Sequence, residues 1–385
     1  MINFGFSPHI EISLDNVLHN LKQIQSLANP HDNDIMAVVK DNAYGCGASA
    51  IADILEKQGG VRFFTVARFQ EACSLRSSGI TSPILVLGKS TPAQIKDGWN
   101  KRIIFTLNDL SDLKDWISNQ LEIRFHLNID TGMGRLGLLP SEIATFCEQL
   151  KFIPRLNFEG VFTHMARADE PQTLSVNHQL SIFRQALAYI RSQGLSPQHI
   201  HFGNSATLMR FDIKESTLVR PGIALYGCNP DPGQKFPLTL RPIASLKSSV
   251  VKLKQVPSGT EISYGGNYKT SSTTCIATIA LGYAHGLPRF LSNQGEVLIK
   301  GKRYRIAGNV TMDYIMVDVG IDPHISIGDE VVAMGFQGDD CISPDEIACL
   351  GNTIGYEVLC HLSTSIDKIY LLNNSIVLHE NGSGF

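Results

Sequence analysis

IMAVVKDNAYGCGASAIADILEKQ, residues 35–58, holds a strand, a turn and a helix in one short stretch. A continuous apolar run ends on Lys40. A polar, glycine-rich turn carrying Tyr44 follows, and then an amphipathic segment begins. Short β-branched or aromatic runs recur downstream as FFTVA, ILVLG, IIFTL, RFHLNI, FEGVFTH, HIHF and LVRPGIALYG. Amphipathic stretches such as DLSDLKDWISN and NHQLSIFRQALAYIRSQ lie between them. Strands alternating with helices indicate βαβ units and a parallel sheet. Eight such strands before residue 230 predict a (β/α)8 barrel. A doubly wound open sheet is the rival that short apolar runs alone do not separate from it. Upstream, residues 13–28 place Leu14, Val17, Leu18, Leu21 and Ile24 on one helical face, with Ser13 as its N-cap.

Helical periodicity stops at GCNPDPGQKFP, and alternating strand patterns replace it: IASLKSSVVKLKQV, TTCIATIALGYA, GEVLIKGKRYRIAG, YIMVDVG and DEVVAMG. The expected organisation is an α/β barrel over 1–235 and a mostly β domain over 236–385, with one short helix near SPDEIACLG. The first residues are expected to pack on that second domain. A net charge of −3 gives no reason to expect nucleic acid or an anionic membrane as partner. No apolar stretch approaches the length of a spanning helix. The N-terminus lacks the pattern of a secretory signal, and the eight cysteines show no C-x-x-C pair, so free thiols in a reducing cytoplasm are expected. No metal-ligand spacing is present.

In a barrel, chemistry sits where the strands end. Lys40 ends the first strand, His164 the sixth and Arg220 the last, while Asn204 and Ser205 follow the seventh. A lone histidine or arginine at such a place has a structural reading too, but these share one face. The segments GNSA and RPGI supply a small hydroxyl and backbone N–H groups where barrels commonly hold phosphate. A desolvated lysine suits a Schiff base with an aldehyde cofactor. Lysine and phosphate site together point to pyridoxal 5'-phosphate, PLP.

VVKDNAYGCG (38–47) resembles the PLP-lysine motif of the alanine racemases, and DTGMGRLG (130–137) is similar to a second motif of that family. EISYGGNY, LGYAHG, GNVTMD and TIGYEV match four more, in the expected order. The resemblance covers nearly the whole chain. It implies that Lys40 holds PLP, that Tyr44, Ser205, Gly222, Ile223 and Tyr356 bind its phosphate, and that Arg220 faces its ring nitrogen. His164 would support Arg220 by hydrogen bonding. Arg135 and the backbone N–H of Met312 would hold the substrate carboxylate. Lys40 would serve the D-face of the α-carbon, and Tyr264, reaching in from a partner subunit, the L-face, so that a homodimer is required. A phenol near pKa 10 is a poor base at neutral pH, and cationic surroundings from Arg135, and from Arg220 through His164, would help it.

Three positions depart from the family pattern. Asn128 stands where many relatives carry a carbamylated lysine, Cys46 replaces a histidine, and Asn309 replaces an arginine of the entrance channel. For Asn128, the reading is that a small anion, most simply chloride, fills the space beside Arg135, or that the amide alone suffices. Racemisation of alanine is the expected activity, serving peptidoglycan or alanine breakdown. A racemase of broader range, a related decarboxylase and a non-catalytic PLP-homeostasis protein are the alternatives.

Overall fold

The computed structural model describes residues 4–151, 153–171, 174–231, 233–234, 236–321 and 324–382. Eight parallel strands form the first sheet: β2 (Asp34–Val38), β3 (Phe63–Val66), β4 (Ile84–Val86), β5 (Ile103–Leu107), β6 (Ile123–Asn128), β7 (Leu156–Phe162), β8 (His199–His201) and β9 (Leu218–Val219). They are joined in the order β8-β7-β6-β5-β4-β3-β2-β9. The ends meet through a parallel bridge between Gly203 and Val219, and Arg220 N–H donates to the Gly203 carbonyl. The barrel is closed. Every residue of β3, β4 and β5 is buried, which is why those stretches read as unbroken apolar runs.

The second sheet has ten strands. Its long member, β10 (Ala244–Val256), alternates buried and partly exposed residues over its first half, the pattern of a sheet with one covered face. The first strand of the chain, β1 (His9–Ser13), belongs here: it pairs antiparallel with β10 and parallel with Asp367–Leu372. Ser13 then caps the helix Leu14–Ala28 by accepting from Asn16 N–H, and the chain enters the barrel. The expected domain break falls beside Lys235, which lies outside the described residues.

Two local expectations need correction. LVRPGIALYG is strand only at Leu218–Val219. Pro221 offers no N–H, Gly222 turns the chain at φ −117° and ψ −92°, and a 3-10 helix follows over Ile223–Tyr226. Near SPDEIACLG there are two short helices, Pro344–Gly351 and Gly355–Cys360. Six residues are too few to show a helical period.

Candidate active site

Lys40 follows β2 at the C-terminal mouth of the barrel. The next four residues, Asp41, Asn42, Ala43 and Tyr44, all sit in the left-handed region at φ 52–55°. Each non-glycine residue there costs about 1–2 kcal/mol, so the surroundings must hold the turn. Glu71 accepts from Asp41 N–H at 2.7 Å, Arg68 pairs with Asp41 at 3.0 Å, and Asn42 Oδ1 accepts from Ala48 N–H at 2.9 Å. The second domain presses on the turn from above: a Cβ on Gly45 would lie 2.7 Å from the Leu359 carbonyl oxygen, and one on Gly47 1.8 Å from the Tyr370 hydroxyl. The turn presents Lys40 and Tyr44 to one cavity.

That cavity, about 590 Å³, is also lined by Arg135, His164, Ser205, Arg220, Gly222, Ile223 and Tyr356. The Tyr44 ring packs at a tilt against those of Tyr226 and Tyr356, and burial pushes its hydroxyl and that of Tyr356 well above the usual phenol range, so both stay neutral donors. Ser205 Oγ accepts from Gly222 N–H at 3.0 Å. A Cβ on Gly222 would stand 2.5 Å from the Tyr44 hydroxyl, so this position leaves room that any other residue would fill.

Arg220 is buried against the ends of β7 and β8. It donates to His201 Nδ1 at 2.6 Å, to the His201 carbonyl at 2.8 Å and to the Thr163 carbonyl at 2.8 Å, and it lies over the Phe162 ring. Arginine can only donate, so His201 carries its proton on Nε2 and passes a hydrogen bond to His126 Nδ1 at 2.8 Å. His126 lies flat against Gly160, where a Cβ would come within 2.7 Å of the ring. Burial, with Arg135 nearby, lowers the Arg220 guanidinium to about 9, still charged at neutral pH.

The hydrogen bonds that fix Arg220 thus run to His201 and Thr163 and not to His164. Burial and the cations Arg220, Arg135 and Lys40 depress the His164 imidazole to about 3. It is neutral under physiological conditions and relays no positive charge. His201 does the supporting, and sequence reading passed it over because HIHF served only as a strand. Arg135 sits on a loop wound around Asp130, whose carboxylate accepts N–H bonds from Gly132, Met133, Gly134 and Arg135. Although burial opposes it, those bonds hold the Asp130 carboxyl below its ordinary range.

Residues 12–230 match the alanine racemase N-terminal domain and residues 243–370 the alanine racemase C-terminal domain. The alanine racemase of Carboxydothermus hydrogenoformans is 40% identical over 367 residues, covering 94% of this chain and 98% of that one. The chain belongs to the alanine racemase family. The alanine racemase of Bacillus anthracis with bound L-Ala-P superposes at a TM-score of 0.90 with 36% identity, covering 98% of each chain. That of Bartonella henselae with covalently bound pyridoxal phosphate does so at 0.83 with 30% identity, over 95% of this chain and 99% of that one. The matched C-terminal domain removes the ground for a PLP-homeostasis protein, which would lack it.

Two residues that the alanine racemase motifs single out stay outside this cavity. Tyr264, on the turn Tyr264–Gly266, is 75% exposed, and Met312 is 54% exposed. Of the three departures, Cys46 is buried away from the cavity, and burial raises its thiol to about 12. Asn128 lines the cavity and spends both amide hydrogens, on Asn108 Oδ1 and the Leu136 carbonyl, each at 2.9 Å. Asn309 Nδ2 donates to the Tyr264 carbonyl at 2.7 Å.

Proposed function

We infer that the chain interconverts L- and D-alanine on PLP by a two-base mechanism. One observation carries this reading: Lys40, a cradle of neutral donors and an arginine held by a histidine all open into one cavity. PLP needs an amine for its aldehyde, donors for its phosphate and a group at its ring nitrogen. The residues fit: Lys40 offers the amine, Tyr44, Ser205, Gly222, Ile223 and Tyr356 surround the space for phosphate, and Gly222 lacks the side chain that would fill it. When bound, PLP withdraws electrons from the α-carbon and so acidifies its proton.

The protein's part is to place bases and charges. Lys40 Nζ, on the barrel, takes and returns the α-proton on the D-face. The Tyr264 hydroxyl of the partner subunit does so on the L-face. Arg135 holds the substrate carboxylate, with the Met312 N–H of the partner subunit beside it. His164 stands neutral among Lys40, Arg135 and Arg220. Arg220 donates and cannot accept, so it leaves the ring nitrogen without a proton and favours return of the proton to the α-carbon. That is the physical basis for racemisation over transamination.

The exposure of Tyr264 and Met312, next to the exposed rings of Tyr283 and Tyr314, supports a homodimer in which each subunit completes the other's site. The cluster of Lys40, Arg135 and Arg220 supports a small anion, chloride most simply, near Arg135 and Asn128. The reading places the chain in the cytoplasm, making D-alanine for peptidoglycan or consuming it. The test is D-alanine formation from L-alanine by the PLP-loaded protein. Lys40→Ala should abolish it in both directions, together with borohydride-dependent fixation of the cofactor to the chain. Fixation retained on the variant would remove Lys40 from this role.

A further inference from the structure

The turn that carries Tyr264 is held at both ends by asparagine side chains. Asn309 Nδ2 donates to the Tyr264 carbonyl at 2.7 Å, and Ser263 Oγ donates back to the Asn309 carbonyl at 2.8 Å. At the far end, Asn293 Nδ2 donates to the Asn267 carbonyl at 3.1 Å, while its Oδ1 accepts from Gly308 N–H at 2.6 Å. The backbone between is unusual, with φ of 67° at Ser263, 76° at Gly265 and 58° at Gly266. A left-handed serine persists only where its surroundings enforce it. Gly308 allows the approach: a Cβ there would lie 2.6 Å from Ser263 Cβ and 2.7 Å from the Ile262 carbonyl oxygen. The Tyr264 hydroxyl, by contrast, makes no hydrogen bond among the described residues. Among the described residues, hydrogen bonds fix the backbone of the turn and not the phenol, which is largely exposed.

We propose that Asn309 is a positioning residue for racemisation, setting the Tyr264 phenol through the Tyr264 carbonyl, with Asn293 bracing the other end of the turn. The inference rests on reading Tyr264 as the L-face base. A base must come within hydrogen-bonding reach of the one proton it removes, and small misplacements cost large factors in rate. Lys40 stands on the barrel, remote in sequence and in domain from this turn. Loosening the turn therefore slows proton removal from one enantiomer and spares the other.

The experiment follows solvent-deuterium uptake at the α-position, separately from L- and D-alanine, on dimeric holoenzyme. Asn309→Ala removes the donor. Asn309→Asp keeps the shape, sets a carboxylate against the Tyr264 carbonyl and serves if the alanine variant folds poorly. Asn309→Gln retains an amide. Amide hydrogen exchange over residues 261–268 is read on the same proteins. The alanine and aspartate variants should lower uptake from L-alanine about tenfold, leave uptake from D-alanine within about twofold, and speed amide exchange in the turn. The glutamine variant should recover most of the L-alanine rate. Equal losses for both enantiomers, or unchanged amide exchange in the turn, would overturn the proposal. Tyr264→Phe in parallel tells the two failures apart. If it leaves L-alanine uptake intact, the assignment of the base falls and the inference falls with it. If it is selective while the Asn309 variants are not, the clamp alone falls.

Discussion

Asn128 lines the same cavity as Arg135 and has no hydrogen left to give. Its amide nitrogen is held between two acceptors, Asn108 Oδ1 and the Leu136 carbonyl, so an anion nearby would be held by Arg135. Exchanging chloride for a bulky non-coordinating anion at constant ionic strength should therefore raise KM for alanine severalfold, more than it lowers kcat. A flat response in both would leave the Asn128 carbonyl oxygen as the support of the guanidinium. At this scale the sequence was informative wherever a residue was chemically out of place. A lysine ending an apolar run and an arginine ending a buried strand both asked for a use. His201 did not, because a histidine in a three-residue strand looks the same whether it faces solvent, core or an arginine. Only closure of the barrel sets it beside Arg220 and His126.

Among the elements, the left-handed turn after Lys40 is the one that pattern reading could not see. Asp41 and Asn42 tolerate that conformation, and Gly45 and Gly47 flank it, but Ala43 and Tyr44 give no sign of it. The strands of the barrel were legible because burial on both faces leaves continuous apolar runs. The turn depends on partners remote in sequence, Glu71, Arg68 and Tyr370. Gly47→Ala tests that dependence. A Cβ at φ 96°, directed at the Tyr370 hydroxyl, should cost about 2–4 kcal/mol in unfolding free energy and weaken cofactor binding. Equilibrium denaturation and PLP titration measure the two effects. Gly60→Ala, also at positive φ but with open space around it, is the control and should cost only the backbone term of about 1–2 kcal/mol and leave cofactor binding unchanged.

For the molecule as a whole, the neutral histidines inside the barrel set the acid limit of stability. Burial, then their cationic and imidazole neighbours, hold His126 and His201 well below the ordinary imidazole range. In the unfolded chain each takes a proton below about pH 6.5. In the folded chain it does not, so unfolding takes up protons and the stability present above pH 6.5 declines as pH falls towards 5. The urea midpoint of the protein should drop across that window, and His126→Asn should flatten the drop. An unchanged slope in the variant would show that His126 is already protonated in the fold. The sequence announced two architectures, barrel then sheet, and set the first residues against the second, but not as a strand between β10 and Asp367–Leu372. Pairing across nearly the whole chain leaves no local trace.

That strand also orders events in time. β1 leaves the ribosome before the barrel strands, yet its neighbours are β10 and Asp367–Leu372, with Ile12 set beside Tyr370. The barrel can close around Lys40 while the rest is still being made. The sheet cannot be completed until Asp367–Leu372 has been made. Until then Ile10 and Ile12 ride on an open edge, exposed to any passing strand. On the proposed reading, in which Tyr264 serves a partner's site, the two bases would meet only after the domain that bears its turn has closed.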